Sequence, residues 1–437
     1  MTKRTPARNA IWILYELLYV IGLFLYLPKA LWRRRLPHRG WRMRLGRYSH
    51  EVRRQLEGRE SIWIHAVSVG EVLAAKPLVR AITQVYPQHP LVLSTVTPSG
   101  FTVASNESGV IPIYFPLDLR VCVRRALETL RPRILLLMES EFWPTVLCLT
   151  KAHGVPIVVV NGRISPRAFR RYRRAQRWLG GLWQHVDLFL MQSQEDADRL
   201  TQLGAPPHAV HVVGNLKWEA SSGTRPSPEA LATSAARMGL NGQERVIVAG
   251  STHQGEEEAL LQAFQRLRES HQAQRLIIAP RHLERLDDIE ELVQRYRFTA
   301  VRFSRTGEGK EGGWEVGLVD TLGQLPQYYG LATVVFVGGS LIPHGGQNPL
   351  EPASLGKPIV FGPSMHNFSS IAEQLLAHQA ARQLSGSADL TPALQELLSD
   401  SQAAQAMGRR AQALVERLGG TTQRILQALA PLLAPPS

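Results

Sequence analysis

The chain has 437 residues, 44% of them apolar and 20% charged, with a net charge of +14. This composition is ordinary for a globular protein, and the length exceeds that of one usual core, so two domains are expected. The only two cysteines, Cys122 and Cys148, lie in apolar, helix-like contexts, which argues against a disulfide scaffold or a cysteine metal site and suits a reducing compartment.

The charge is unevenly placed. Residues 1–60 hold 14 Lys and Arg against 4 acids. Arg163, Arg167, Arg170, Arg171, Arg173, Arg174 and Arg177 follow within one short run that contains no acid, and the remainder is close to neutral. Two basic patches on a neutral body could serve nucleic acid. No zinc spacing or RRM-type aromatic motif accompanies them, and the first adjoins an apolar segment. An anionic membrane surface or lipid is therefore the expected partner, and nucleic acid is not.

That apolar segment, residues 11–27 (IWILYELLYVIGLFLYL), carries one charge, Glu16. It sits at the short end of the ~17–25 residues that span a bilayer. Trp12, Tyr15, Tyr19, Tyr26 and Trp32 stand where interface anchors would. Lys29, Arg33, Arg34, Arg35 and Arg39 follow, with no small-residue cleavage site, which argues against a removed signal peptide. The positive flank predicts a body on the cytoplasmic side of the membrane. A single span and an interfacial helix both remain open, as does a buried helix of the first domain.

Beyond residue 50, short β-branched runs alternate with helix-sized gaps. The expected strands are 61–67, 90–96, 111–115, 133–138, 156–161, 187–192 and 211–214, then 245–250, 275–279, 299–303, 316–320, 333–338 and 358–362. Runs apolar on both faces and separated by helices predict parallel sheets covered on both sides. The stretch 219–242 is rich in Ser, Pro, Gly and Ala and reads as a linker. The division expected is an anchor and basic linker over 1–50, a first α/β domain over 51–218, and a second over 243–437 that includes the terminal helices. Ligands of doubly wound folds lie at the carboxyl ends of strands, so a cleft between the domains is the expected site.

Chemistry-bearing residues fall at those strand ends. Glu71 follows the first strand and should open a helix. A carboxylate there can act as a base, or merely complement the helix dipole. His65, on the strand itself, reads as a satisfied core residue. Glu139 and Glu141 follow the fourth strand, and two carboxylates so close can differ in environment and role. Lys217 follows the seventh strand. In the second half, Pro280 and Arg281 follow a strand, and the planar fork of arginine suits phosphate or carboxylate. Leu322, Gly323 and Gln324 follow another and begin a helix. The stretch 333–363 runs from a strand through Gly338, Gly339 and Ser340 to a loop with Gly345 and Gly346, then a helix start and a strand. Glycine loops and helix N-termini hold phosphate in α/β folds. Asn348, Pro349 and Glu351 suit N-cap, first-turn and capping-box positions.

Taken together, HAVSVGE (65–71), MESEFWP (138–144), NGRIS (161–165), GNLKW (214–218), AGSTHQGEE (249–257), APRH (279–282), DTLGQL (320–325) and GGQNPLEPA (345–353) resemble the 3-deoxy-D-manno-octulosonic acid (Kdo) transferases, over essentially the whole chain. The resemblance implies two Rossmann-like doubly wound domains (the GT-B fold) and lipopolysaccharide assembly at the inner membrane. It implies CMP-Kdo as donor, a lipid A precursor as acceptor, and no metal or cofactor. It implies Glu71 as the base of an inverting transfer, Glu139 as a support for the transition state and Lys217 as a cation for the departing CMP. Pro280, Arg281, Leu322, Gly323, Gln324, Asn348, Pro349, Leu350 and Glu351 fall in its CMP-contacting segments. The motifs fix neither an oligomeric state nor the number of sugars added. The other readings are a GT-B enzyme of another sugar nucleotide and a non-catalytic, membrane-anchored lipid-binding protein.

Overall fold

The computed structural model describes residues 15–22, 24–25, 40–176, 181–220, 225–270, 275–305 and 313–434. The expected anchor over 11–27 and Arg177 therefore lie partly or wholly outside the described residues. Among the described residues, no helix is long and apolar enough to cross a membrane.

The chain divides into two compact units. The first is built on strands β1 (Ser61–His65), β2 (Leu91–Thr95), β3 (Val110–Tyr114), β4 (Pro132–Met138), β5 (Ile157–Gly162), β6 (Leu188–Met191) and β7 (Val210–Val212). They form one parallel sheet in the order β3-β2-β1-β4-β5-β6-β7, with Ile62 beside both Leu91 and Ile134. Successive side chains of a strand point to opposite faces. Trp63, Val92, Leu135, Leu137 and Val159 therefore fill one core. Ile62, Ile64, Leu93, Leu136, Met138 and Val160 fill the other. Both faces are dry, which is why these runs read as continuously apolar.

The second unit has β8 (Val246–Thr252), β9 (Arg275–Pro280), β10 (Ala300–Arg302), β11 (Val316–Leu318), β12 (Val334–Val337), β13 (Ile359–Phe361) and β14 (Arg382–Gln383). Its parallel order is β10-β11-β9-β8-β12-β13-β14. Ile247, Ala249, Ile278, Leu318, Phe336 and Val360 share one core, and Val248, Ile277, Val335 and Phe361 are equally buried. Every strand run read from the sequence forms a strand. The short polar β14 had no apolar signal to reveal it.

The domain boundaries differ from those expected. The helix Thr421–Leu433 belongs to the first unit, where Ile425, Leu429 and Leu433 join the core beneath Ile62 and Val160. Arg424 Nε donates to the Val213 carbonyl (2.7 Å), and the Thr422 N–H donates to the Glu219 carboxylate (3.1 Å). An amphipathic helix advertises an apolar stripe, but not which core accepts it. The helix Pro228–Arg237, expected within the linker, belongs to the second unit. Residues 40–50, assigned to the basic linker, are part of the first unit: Tyr48 is buried and the Leu117 N–H donates to the Arg44 carbonyl (2.8 Å).

Candidate active site

In a doubly wound sheet the crevice opens where two neighbouring strands send their connections to opposite sides. In the first sheet that pair is β1 and β4, and both strands end in carboxylates. The helix Val69–Val85 starts after Ser68, and Glu71 is its third residue. Glu71 Oε2 accepts from the Val67 N–H (2.9 Å) and Oε1 from the Ser68 hydroxyl (3.1 Å), a variant of the capping box. Only 9% of the residue is exposed. Burial raises its pKa from 4.5 to about 7, with smaller contributions from the charges of Glu139 and Glu141. A carboxyl poised near neutrality is suited to take a proton.

Glu139 leaves β4 in the left-handed region (φ 56°), its N–H held by the Val160 carbonyl (2.9 Å). Such backbone is uncommon outside glycine, and it turns the chain sharply at the sheet edge. Lys217 Nζ stands 3.8 Å from Glu139 Oε1. It opens the short helix Lys217–Ala220, and its N–H donates to Asn215 Oδ1 (2.9 Å). The same turn is pinned by buried Asn161 at the end of β5, whose Oδ1 accepts from the Leu216 N–H (3.0 Å). Glu141 Oε2 accepts from Trp143 Nε1 (3.0 Å), and burial pushes its pKa up. The three residues read as catalytic are thus gathered in one unit. His65 lies outside the cluster's chemistry. It is fully buried, its Nδ1 is 3.0 Å from Ser94 Oγ, and burial pulls its pKa down to about 3.

In the second sheet the corresponding pair is β8 and β12. The loop after β12 does not offer its N–H groups to a phosphate, as the glycine pattern led us to expect. The carboxylate of Glu256 takes them: it accepts from the N–H of Gly339 (2.7 Å), Ser340 (2.9 Å) and Leu341 (2.9 Å), and from that of His253 (2.9 Å). Gly338 is needed because a Cβ would lie 2.4 Å from the Ser251 carbonyl oxygen. Glu256 is a fully buried residue that sequence reading missed; the acidic run Glu256–Glu258 was its only signal.

Pro280 closes β9, and the N–H of exposed Arg281 donates to the Thr252 carbonyl (2.9 Å). Leu322 (79% exposed) and Gly323 (φ 81°) form a turn rather than a helix start, and Gln324 is the cap of the helix Leu325–Leu331. The cap after the glycine loop is also displaced by one residue: Pro349 is the N-cap and the helix is only Leu350–Ser354. Asn348 Oδ1 accepts from the Leu350 N–H (3.1 Å), and its Nδ2 donates to Glu351 Oε1 (3.3 Å). Glu351 sits where burial raises its pKa.

Two doubly wound parallel units in one chain are consistent with the GT-B fold, and the first carries carboxylates and a lysine at its switch point. The fold is similar to that of a glycosyltransferase from Rickettsia africae, 11% identical, with a TM-score of 0.56 over 87% of this chain and 100% of that one. The family model of the 3-deoxy-D-manno-octulosonic-acid transferases matches residues 39–220. The 3-deoxy-D-manno-octulosonic acid transferase of Haemophilus influenzae is 33% identical over 86% of this chain and 87% of its own. That of Bordetella pertussis is 34% identical over 84% and 86%. The chain belongs to the Kdo transferase family.

Proposed function

We propose that the protein transfers Kdo from CMP-Kdo to a hydroxyl of a lipid A precursor in lipopolysaccharide assembly, with inversion and without a metal. Glu71 takes the acceptor proton as the new C–O bond forms, while the bond from the sugar to the CMP phosphate breaks and CMP leaves. Lys217 balances the negative charge that develops, and Glu139 holds Lys217 in place. Arg281 faces the donor phosphate, with Leu322–Gln324 and Asn348–Glu351 contributing to the nucleotide site. The observation that carries this reading is the buried, near-neutral carboxyl of Glu71 at the β1/β4 switch point, with Glu139 and Lys217 beside it.

In this proposal the acceptor is a phosphorylated lipid met at the cytoplasmic side of the inner membrane, and two features support a membrane-facing first unit. Tyr15 OH donates to buried Asp118 (2.8 Å), and Glu16 pairs with Arg120 (3.2 Å), while Leu17, Leu18, Ile21, Phe24 and Leu25 on the same segment stay 45–76% exposed. The helix Pro166–Arg174 packs Phe169 and Tyr172 on the core and leaves Arg167, Arg170, Arg171, Arg173 and Arg174 exposed. An apolar face and a cationic face suit an anionic bilayer. The test is purified protein with CMP-Kdo and a tetraacylated lipid A precursor, products resolved by mass. Addition of Kdo to the lipid supports the proposal. Release of CMP with no sugar on the lipid, or no reaction at all, overturns it.

A further inference from the structure

Three neighbouring strands of the second sheet each deliver a histidine at their carboxyl ends: His253 after β8, His282 after β9 and His344 in the loop after β12. The rings gather there. The centroids of His253 and His344 are 4.0 Å apart, and those of His253 and His282 are 5.5 Å apart, nearly edge-on at 73°. His253 is buried, whereas His282 and His344 are exposed. The Gln347 amide nitrogen lies 3.2 Å from His253 Nε2. Arg281, exposed, directly precedes His282.

Three imidazoles gathered at strand ends place several N–H donors in one spot, more than ring packing alone requires. Burial, then His344 and His282, hold the His253 imidazole below its usual range. Among the described residues, no three His, Cys, Asp or Glu side chains are arranged to hold a metal. What the group offers is N–H donors. The cluster also sits at the β8/β12 switch, where an open sheet takes its ligand.

We propose that His253, His282 and His344, with Gln347, form an anion subsite that takes the carboxylate of a sugar-acid donor, beside the phosphate-facing Arg281. This rests on the donor being CMP-Kdo, whose sugar carries a carboxylate on the carbon bonded to the phosphate oxygen. The division of labour follows from donor geometry. The fixed fork of arginine suits phosphate, and a planar carboxylate can accept from imidazole and amide N–H groups that carry no permanent charge. An anion beside His253, whose imidazole burial holds below its usual range, favours the protonated ring, so donor affinity falls as pH rises. The titratable and charged groups facing His253 are His344, His282, Glu257 and Arg285, of which the last two pair with each other (2.9 Å); Glu284 lies 3.4 Å from His282 Nδ1.

The exposed pair tests this without disturbing the core: H282Q/H344Q, compared with the unaltered protein by KM for CMP-Kdo between pH 6 and 9 and by calorimetric titration of CMP. The expected result is a KM raised about tenfold, in line with the loss of a charge-assisted hydrogen bond, and a CMP affinity changed less than about twofold. An unchanged KM, or CMP affinity falling in parallel, overturns the subsite while leaving the transferase reading intact. If the unaltered protein binds CMP but does not turn over CMP-Kdo, the donor assignment and the subsite fall together.

Discussion

Replacing Glu71 with glutamine should make the protein more stable and far less active, and the stability gain should depend on pH. The native carboxyl has a pKa near 7 against 4.5 for an ordinary glutamate. The folded state therefore holds a proton that the unfolded chain has already released between those values. A group raised in this way adds stability below its unfolded pKa, and that contribution is lost as pH rises through the folded one. At pH 8 the accumulated loss is about 3 kcal/mol, and at pH 5 it is about 1 kcal/mol. Glutamine keeps its oxygen for the Val67 N–H and turns its NH2 to the Ser68 hydroxyl oxygen, an exchange of partners that costs about 1 kcal/mol at any pH. Glu71→Gln should thus be about 2 kcal/mol more stable than the parent at pH 8 and roughly equal at pH 5. At about 2–4 °C per kcal/mol, the melting temperature of the first unit should rise by ~4–8 °C at pH 8 alone. Over the same range, kcat/KM of the parent should climb through about pH 7 as the base deprotonates, and the variant should lose about 100-fold or more at every pH. Thermal scans and initial rates at pH 5, 6, 7 and 8 check both. A Glu71→Gln variant no more stable at pH 8 than at pH 5 relative to the parent, or a parent whose activity limb lies near pH 4.5, would refute the reasoning.

The other outcomes concern both units. Lys217→Met should lower kcat by about 100-fold with CMP affinity unchanged, because its charge acts at the reacting centre; calorimetry with CMP beside steady-state rates separates the two. Glu256→Gln should destabilise the second unit by about 3 kcal/mol, since a single amide oxygen cannot satisfy four backbone N–H groups, and urea unfolding measures it. Gly338→Ala should cost about 1–3 kcal/mol by the same measurement, because the added methyl meets the Ser251 carbonyl at 2.4 Å.

Much of the architecture is local in origin. Ile62, Trp63 and Ile64 are apolar in succession because a parallel strand buries both faces, and that pattern is visible in the residues themselves. Glu71, Glu139 and Lys217 could be placed at strand ends because strands, turns and helix starts each leave a signature a few residues long. The cap at Pro349 and the turn at Leu322–Gly323 lie a residue or two from where the sequence pattern puts them, since helix starts compete over a distance shorter than the signal that marks them.

The sequence by itself determined the two parallel sheets, their strand runs and the family to which the chain belongs. Tertiary structure alone decided that the last helix returns to the first sheet, that Glu256 reaches from one strand end to occupy a glycine loop 83 residues away, and that Glu71 is buried enough to titrate near neutrality. Periodicity is written in neighbouring residues, because the backbone repeats every two or 3.6 of them. A partner across the fold, and the loss of water that shifts a carboxyl, exist only once distant segments have packed.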